Sequence, residues 1–255
     1  MNSADAPQKA ATSGKTQAAE TARSTARSTA SAALGSASAH VVALRSKLDR
    51  HDASGRARKP QNMLVVFCHP VRDSFVGACL DRTVAALEAS GHAVRVIDLY
   101  ADDFQPALSL HERVAYKELI ETKPEILGYV NNLRWATGLV FVYPTWFGAQ
   151  PAMLKGWFDR VWVDGVAYRL PTRPGLLIPA LRNIHSLTVV TTHGSGKFMN
   201  AVQGEPGKRV ALRGLRSLCA RLCRTHWIAF YGNDRADETA RTSFLARVST
   251  EIAKL

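Results

Sequence analysis

From residue 62 onward the chain alternates short apolar runs with stretches in which apolar residues return every three or four positions. The first kind reads as buried strands and the second as amphipathic helices. Residues 63–68 give a first strand, 74–90 a helix stopped by Gly91, and 93–97 a second strand. A polar, less regular stretch from Tyr100 to about Pro124 leads into a helix ending near Trp135, and a third strand follows over 138–143. Residues 151 to about 163 are a helix. After a loop rich in Pro and Gly come a fourth strand at 186–192, a basic amphipathic helix at 207–223, a fifth strand at 227–231 and a closing helix at 236–254. Strands alternating with helices predict an α/β protein, a parallel sheet covered by helices on both faces in three αβα layers. In a doubly wound sheet of order 2-1-3-4-5 the crossover reverses between strands one and three. A ligand then belongs on the loops leaving strands one, three and four.

Composition divides the chain near residue 60. Residues 1–60 are Ala, Ser, Thr and Arg with almost no large apolar side chain, and Ala22-Arg23-Ser24-Thr25 is echoed by Ala26-Arg27-Ser28-Thr29. Such a segment buries too little surface to offset its ordering entropy, so a disordered tail is expected before a single domain at 61–255. The tail holds 10 Lys or Arg against 4 Asp or Glu, half of the formal +12. A basic arm offers weak, sequence-independent contact with nucleic acid or a peripheral membrane surface, and gives no ground for a specific nucleic-acid partner. No run approaches the length of a membrane span, and the start lacks the apolar core of a secretory leader. Cys68, Cys79, Cys219 and Cys223 form no paired framework, which suits reduced thiols in the cytoplasm. Cys219, Cys223 and His226 lack the second ligand pair a zinc site needs, so no metal is expected, and the two cysteines read as small buried residues on a helix face.

The loop after strand one, His69-Pro70-Val71-Arg72-Asp73-Ser74-Phe75, contains no glycine, which excludes a dinucleotide-binding G-x-G-x-x-G turn. Ser74 either caps the following helix or offers a hydroxyl to a phosphate there, with His69 and Arg72 adding donors and positive charge. At the end of strand three, Pro144-Thr145-Trp146-Phe147-Gly148 sets two aromatics between a proline and a glycine, a wall suited to a planar ring. Trp157 and Phe158, farther on, read as the sheet-facing stripe of a helix. The exit of strand four, Thr191-Thr192-His193-Gly194-Ser195-Gly196, brings small side chains and close backbone to the same crevice.

These words in this order resemble the NAD(P)H:quinone oxidoreductase family of the flavodoxin-like superfamily. The resemblance rests on Tyr143-Pro144-Thr145-Trp146-Phe147-Gly148-Ala149-Gln150-Pro151 running into Lys155-Gly156-Trp157-Phe158, on His69 with Ser74-Phe75, and on Asp98-Leu99-Tyr100 and Phe104-Gln105-Pro106-Ala107-Leu108-Ser109. It implies a flavodoxin-like fold, FMN or FAD as cofactor, NADPH or NADH as electron donor, quinone-like acceptors reduced by ping-pong hydride transfer, and a homodimer. It assigns the flavin phosphate and ribityl chain to His69, Ser74 and Phe75, beside which Arg72 is the added positive charge read from the loop itself. The ring goes to Pro144, Thr145, Trp146 and Phe147, with Thr192, Gly194, Ser195 and Gly196 along its polar edge. The Tyr and His that relatives use as a proton relay fall here on or near Met199 and Pro206, which cannot carry a proton. His193 is the candidate substitute, or else a hydrogen-bonded structural residue.

A rival expectation comes from the same fold. Ancillary subunits of glutathione-gated potassium efflux systems share the turn, and missing relay residues together with Arg209, Arg213, Arg216, Arg221 and Arg224 would suit a regulatory flavoprotein with little turnover.

Overall fold

The computed structural model describes residues 59–116, 123–173 and 175–255. All but the last two residues of the expected tail lie outside this set, as do residues 117–122 of the irregular stretch.

The elements run β1 (Asn62–Phe67), α1 (Phe75–Ala89), β2 (Ala93–Asp98), α2 (Leu110–Val114), α3 (Pro124–Trp135), β3 (Gly138–Pro144), α4 (Ala152–Val161), β4 (Tyr168–Arg169), β5 (Ile178–Pro179), β6 (Ser186–His193), α5 (Lys197–Val202), α6 (Pro206–Arg209), β7 (Arg224–Tyr231) and α7 (Glu238–Ile252). Five strands form one sheet in the order β2-β1-β3-β6-β7, with every neighbouring pair parallel. Counting only these long strands, this is the expected order 2-1-3-4-5. β4 and β5 make a separate antiparallel ribbon that the periodicity did not announce.

β1 and β3 are buried on both faces, so their sequences are unbroken apolar runs instead of alternating ones. Met63, Val65 and Phe67 point to one core with Val140, Val142 and Val190, closed by Leu80 and Leu87 of α1 and Phe244, Val248 and Ile252 of α7. Leu64 and Val66 point to the other with Leu139, Phe141 and Leu187, closed by Ile126 and Leu133 of α3 and Leu154 and Trp157 of α4. Each such fully buried side chain contributes roughly 2 kcal/mol of transfer free energy. Trp157 and Phe158 are both core, meeting Phe141 edge to face at 6.1 and 5.2 Å. Between them and Lys155 stands Gly156, where a Cβ would lie 2.2 Å from the Pro106 carbonyl oxygen, so α4 rests directly on the backbone that follows β2.

The helix expected at 207–223 is shorter. It starts at Pro206, widens from α6 into a π-helical stretch at Val210–Leu215, and ends soon after. There Leu181 N–H donates to Leu218 C=O (3.1 Å) and Ala220 N–H to Ile184 C=O (3.0 Å), so tertiary hydrogen bonds take over from helical ones. Cys219 and Cys223 therefore lie, themselves buried, on either side of an exposed turn and not on a helix face. Arg216 ties that turn through Cys223 O (3.3 Å) and Arg221 O (2.9 Å), and Arg224 opens β7 three residues before the expected strand. The continuous basic stripe does not exist.

Candidate functional site

The loop leaving β1 turns on His69, whose Nδ1 lies 3.0 Å from the Val71 N–H and 2.8 Å from the Val71 C=O, leaving Nε2 as the atom that can meet a ligand. Ser74 is the N-cap of α1: its Oγ accepts from Gly77 N–H at 3.1 Å. The N–H groups of Phe75 and Val76 are the remaining donors of that first turn. Arg72 lies back along α1, where it ion-pairs with Asp81 and donates to Gly77 O at 3.3 Å; the hydrogen bond to Asp81 raises its pKa. The Phe75 ring packs 5.5 Å from Phe230 and 6.1 Å from Phe244, on the α7 side of the sheet. Asp98, ending β2, caps its own turn by accepting from Tyr100 and Ala101 N–H.

At the end of β3, Thr145 N–H donates to Thr192 O at 2.7 Å, which continues the ladder to β6 by one residue. Trp146 and Ala149 then exchange both backbone hydrogen bonds at 3.1 Å around Phe147 and Gly148, whose φ values are 49° and 75°. Two left-handed residues make this a tight primed turn; Gly148 adopts it freely, while Phe147 carries a strain of about 1–3 kcal/mol of the kind that gathers at functional sites. The turn is held from behind, where Gly207 N–H donates to Gly148 O (3.2 Å) and Gln150 Nε2 to Gly207 O (3.0 Å). Phe147 stands fully exposed at its tip and Trp146 is 43% exposed.

β6 ends in His193, which is only 4% exposed. Its ring stacks on Tyr231, its neighbour across the β6–β7 register, with centroids 4.5 Å apart and planes 17° apart. Nδ1 lies 2.7 Å from Asn200 Oδ1, and Nε2 lies 3.5 Å from Thr145 Oγ1. Burial lowers the His193 pKa against the upward pull of Asn200 and Glu205, so the imidazole is neutral at pH 7. Tyr231 in turn donates to Glu205 Oε1 at 2.6 Å, and Lys208 Nζ sits 3.0 Å from Glu205 Oε2; the tyrosine bond and then the lysine hold this carboxyl below its usual pKa. Beyond His193, Gly194 abuts the Asp234 carboxylate.

The exits of β3 and β6 face each other across a cleft of about 340 Å³ lined by Thr145, Trp146, Phe147, His193, Gly194 and Ser195 of the expected set, together with Gly148, Asn200, Gln203 and Asp234. His69 joins it through Trp146. Arg72 and the ring of Phe75 are turned elsewhere. Among the described residues nothing accepts from the N–H groups of Phe147, Gly148, Gly194, Ser195 and Gly196. Larger hollows of about 500 and 620 Å³ lie beside Arg160 and along the edge of β7, but neither includes a residue from the exits of β1 or β3, where a doubly wound sheet presents its crevice. Asn200, Glu205 and Tyr231 were not foreseen. Asn200 alone had a local signal, a short polar side chain four residues after the Gly-Ser-Gly turn.

A family model described as a flavodoxin-like fold matches residues 61–252. Rat NAD(P)H dehydrogenase [quinone] 1 is 35% identical over 179 residues, 63% of this chain and 64% of the relative, so the chain spans slightly under two thirds of that protein's length. Among solved structures, Smu.1420 from Streptococcus mutans UA159 superposes with a TM-score of 0.67 at 26% identity, covering 76% of this chain and all of the other. The NAD(P)H:quinone oxidoreductase from Methanothermobacter marburgensis gives a TM-score of 0.66 at 25% identity, covering 76% and 96%.

Proposed function

Because this chain belongs to the flavodoxin-like family, we propose that it is a flavin-dependent NAD(P)H oxidoreductase that reduces quinone-like acceptors, with FMN or FAD seated at the ends of β1, β3 and β6. The observation that carries this reading is the facing of two turns across one cleft: the aromatic Trp146–Phe147 turn, and the Gly194–Ser195–Gly196 turn with its unpartnered N–H groups. A flat apolar ring with one polar edge fits that pairing, aromatic wall to ring face and N–H groups to carbonyl edge. The similarity to the rat quinone dehydrogenase and the Methanothermobacter quinone oxidoreductase supports the same donor and acceptor classes.

When bound, the flavin supplies the hydride acceptor and donor. The chain's own residues align and shield it. Trp146 and Phe147 stack and exclude water, the β6 turn fixes the polar edge, and His69 with the Phe75 and Val76 N–H groups receives the phosphate beside Ser74. Donor and acceptor use one cleft in turn, so the kinetics are ping-pong. Of the two ionisable side chains that line the cleft, His193 and Asp234, His193 is the candidate proton carrier. Phe147 on the β3 turn and Phe198, Met199 and Val202 on α5 are exposed apolar side chains, which a homodimer would cover. Four unpaired buried thiols support a cytoplasmic setting. Residues 1–60 we assign to a tail outside the domain at 61–255. No helix among the described residues is long and apolar enough to cross a membrane. The regulatory reading loses the basic stripe, one of its two supports in the sequence, and is not favoured by the relatives.

The test is the absorbance spectrum of purified protein, with released flavin identified by chromatography and NADPH oxidation followed with menadione. A flavin spectrum and parallel double-reciprocal lines are expected. Folded protein that takes up neither FMN nor FAD overturns the reading.

A further inference from the structure

The side chains around His193 form a closed set whose hydrogen bonds fix where its proton sits. Asn200, buried on α5, donates from Nδ2 to Ser195 O (3.1 Å) and Gly196 O (2.9 Å), so its Oδ1 is the end that faces His193 Nδ1 and can only accept. The imidazole proton is therefore on Nδ1 and the lone pair on Nε2. That lone pair faces Thr145 Oγ1, which lies 3.0 Å from Thr191 Oγ1. Both line the cleft, but His193 is nearly sealed while Thr145 is half-buried, so Thr145 is the more open of the two to a ligand.

We propose that Thr145 and His193 form the proton relay of this site, and that Asn200 is the positioning residue that holds His193 in the Nδ1–H tautomer. This replaces the work that Met199 and Pro206 cannot do: Met199 is exposed, and Pro206 only starts α6. The proposal rests on the oxidoreductase reading. Reducing a quinone to its neutral hydroquinone consumes one hydride, from the reduced flavin, and one proton. The relay is loaded when Nε2 of the neutral ring takes a proton from solvent to give the imidazolium; the Thr145 O–H bond then breaks as an O–H bond forms on the acceptor oxygen, Thr145 Oγ1 takes the Nε2 proton, and the ring returns to neutral. Burial makes that imidazolium a stronger acid than free histidine, which favours transfer in this direction. The charged and titratable groups around the ring are Tyr231 stacked on it, Glu205 behind Tyr231, Lys208 on Glu205, and Asp234 beyond Gly194.

The tautomer is read without turnover. In protein labelled with 15N-histidine and purified with its flavin, long-range 15N–1H correlation is expected to show His193 as Nδ1–H and neutral at pH 7. Asn200→Leu should mix the tautomers, whereas Asn200→Asp should keep Nδ1–H and raise the His193 titration midpoint. Turnover is then read with two acceptors, menadione, which needs the proton, and ferricyanide, which takes electrons alone. Thr145→Val should lower the ratio of the menadione rate to the ferricyanide rate about 50-fold, and Thr145→Ser should restore most of that ratio. An Nε2–H tautomer, or equal loss with both acceptors, overturns the relay while leaving the flavin assignment standing. A colourless protein overturns the oxidoreductase reading and leaves the tautomer result intact.

Discussion

His69, at the end of β1, places its ring 6.3 Å from that of Trp146, at the end of β3, with the planes inclined at 56°. The two strands are neighbours in the sheet, and the crossover direction reverses between them. The contact therefore joins the expected phosphate side of the crevice to its aromatic side. Trp146→Ala removes a stacking wall worth ~1.5 kcal/mol, about tenfold in affinity, so flavin should dissociate roughly tenfold more readily. Quenching of FMN fluorescence on titration of apoprotein measures this. His69→Ala should weaken FMN more than it weakens riboflavin, which has no phosphate.

Phe147→Gly is expected to separate stability from binding. The substitution relieves a left-handed φ of 49° and should raise the urea midpoint by the equivalent of about 1 kcal/mol. It also strips the exposed ring from the cleft, so flavin affinity should fall in the same protein. A lowered midpoint would show that the turn is not strained.

Ser74→Ala deletes the N-cap of α1 and should cost about 1 kcal/mol in urea unfolding. Ser74→Asp keeps an N-cap and should keep the stability, yet it sets a carboxylate against a phosphate and should lose FMN. If both variants bind FMN as well as the parent, the phosphate lies elsewhere.

Gly156→Ala should be among the most damaging small substitutions in the domain. The added Cβ would fall 2.2 Å from Pro106 O and 2.6 Å from Pro106 Cα, and backbone cannot yield as a flexible side chain would. Overpacking of this kind costs about 1–3 kcal/mol, read as a lowered thermal midpoint. Gly128→Ala, in open space on α3, is the control and should be neutral or slightly stabilising.

Stability should fall as pH drops below about 6.5, the ordinary histidine pKa, from which burial lowers both His193 and His226. Their folded pKa values lie below the unfolded one, so the unfolded chain binds protons first as pH falls. The stability is complete above the unfolded pKa and is lost on the way down through the folded value. Urea midpoints at pH 7.5, 6.5 and 5.5 test this, and His193→Gln should flatten the slope. Glu205, lowered from 4.5, contributes in a separate and more acidic window.

The site was partly legible because its turns are written locally. Pro144 through Gly148 and Gly194 through Gly196 are contiguous words whose residue types dictate a tight turn and a close backbone. On sequence alone, Arg72 is a ligand contact by its charge in the loop, and Phe75 by its place in the His69 and Ser74-Phe75 resemblance. In the fold one is drawn to Asp81 a little over two helical turns on, and the other to Phe230 and Phe244, more than 150 residues away in the chain. The set around His193 had no such signature. Asn200 follows it by seven residues, Glu205 by 12 and Tyr231 by 38.

The sequence by itself determined the order of strands and helices, because strands buried on both faces must be apolar at every position and amphipathic helices must repeat their apolar residues by the turn. It also determined where the crevice opens, since that follows from the order of the strands. Only the tertiary structure decided which side chains meet there. The β6–β7 register puts Tyr231 under His193, the backbone of Leu181 and Ile184 ends the helix before Cys219, and Asn200 reaches His193 once its amide is spent on the Gly-Ser-Gly turn. Such partners are set by distance in space, which periodicity along the chain does not encode.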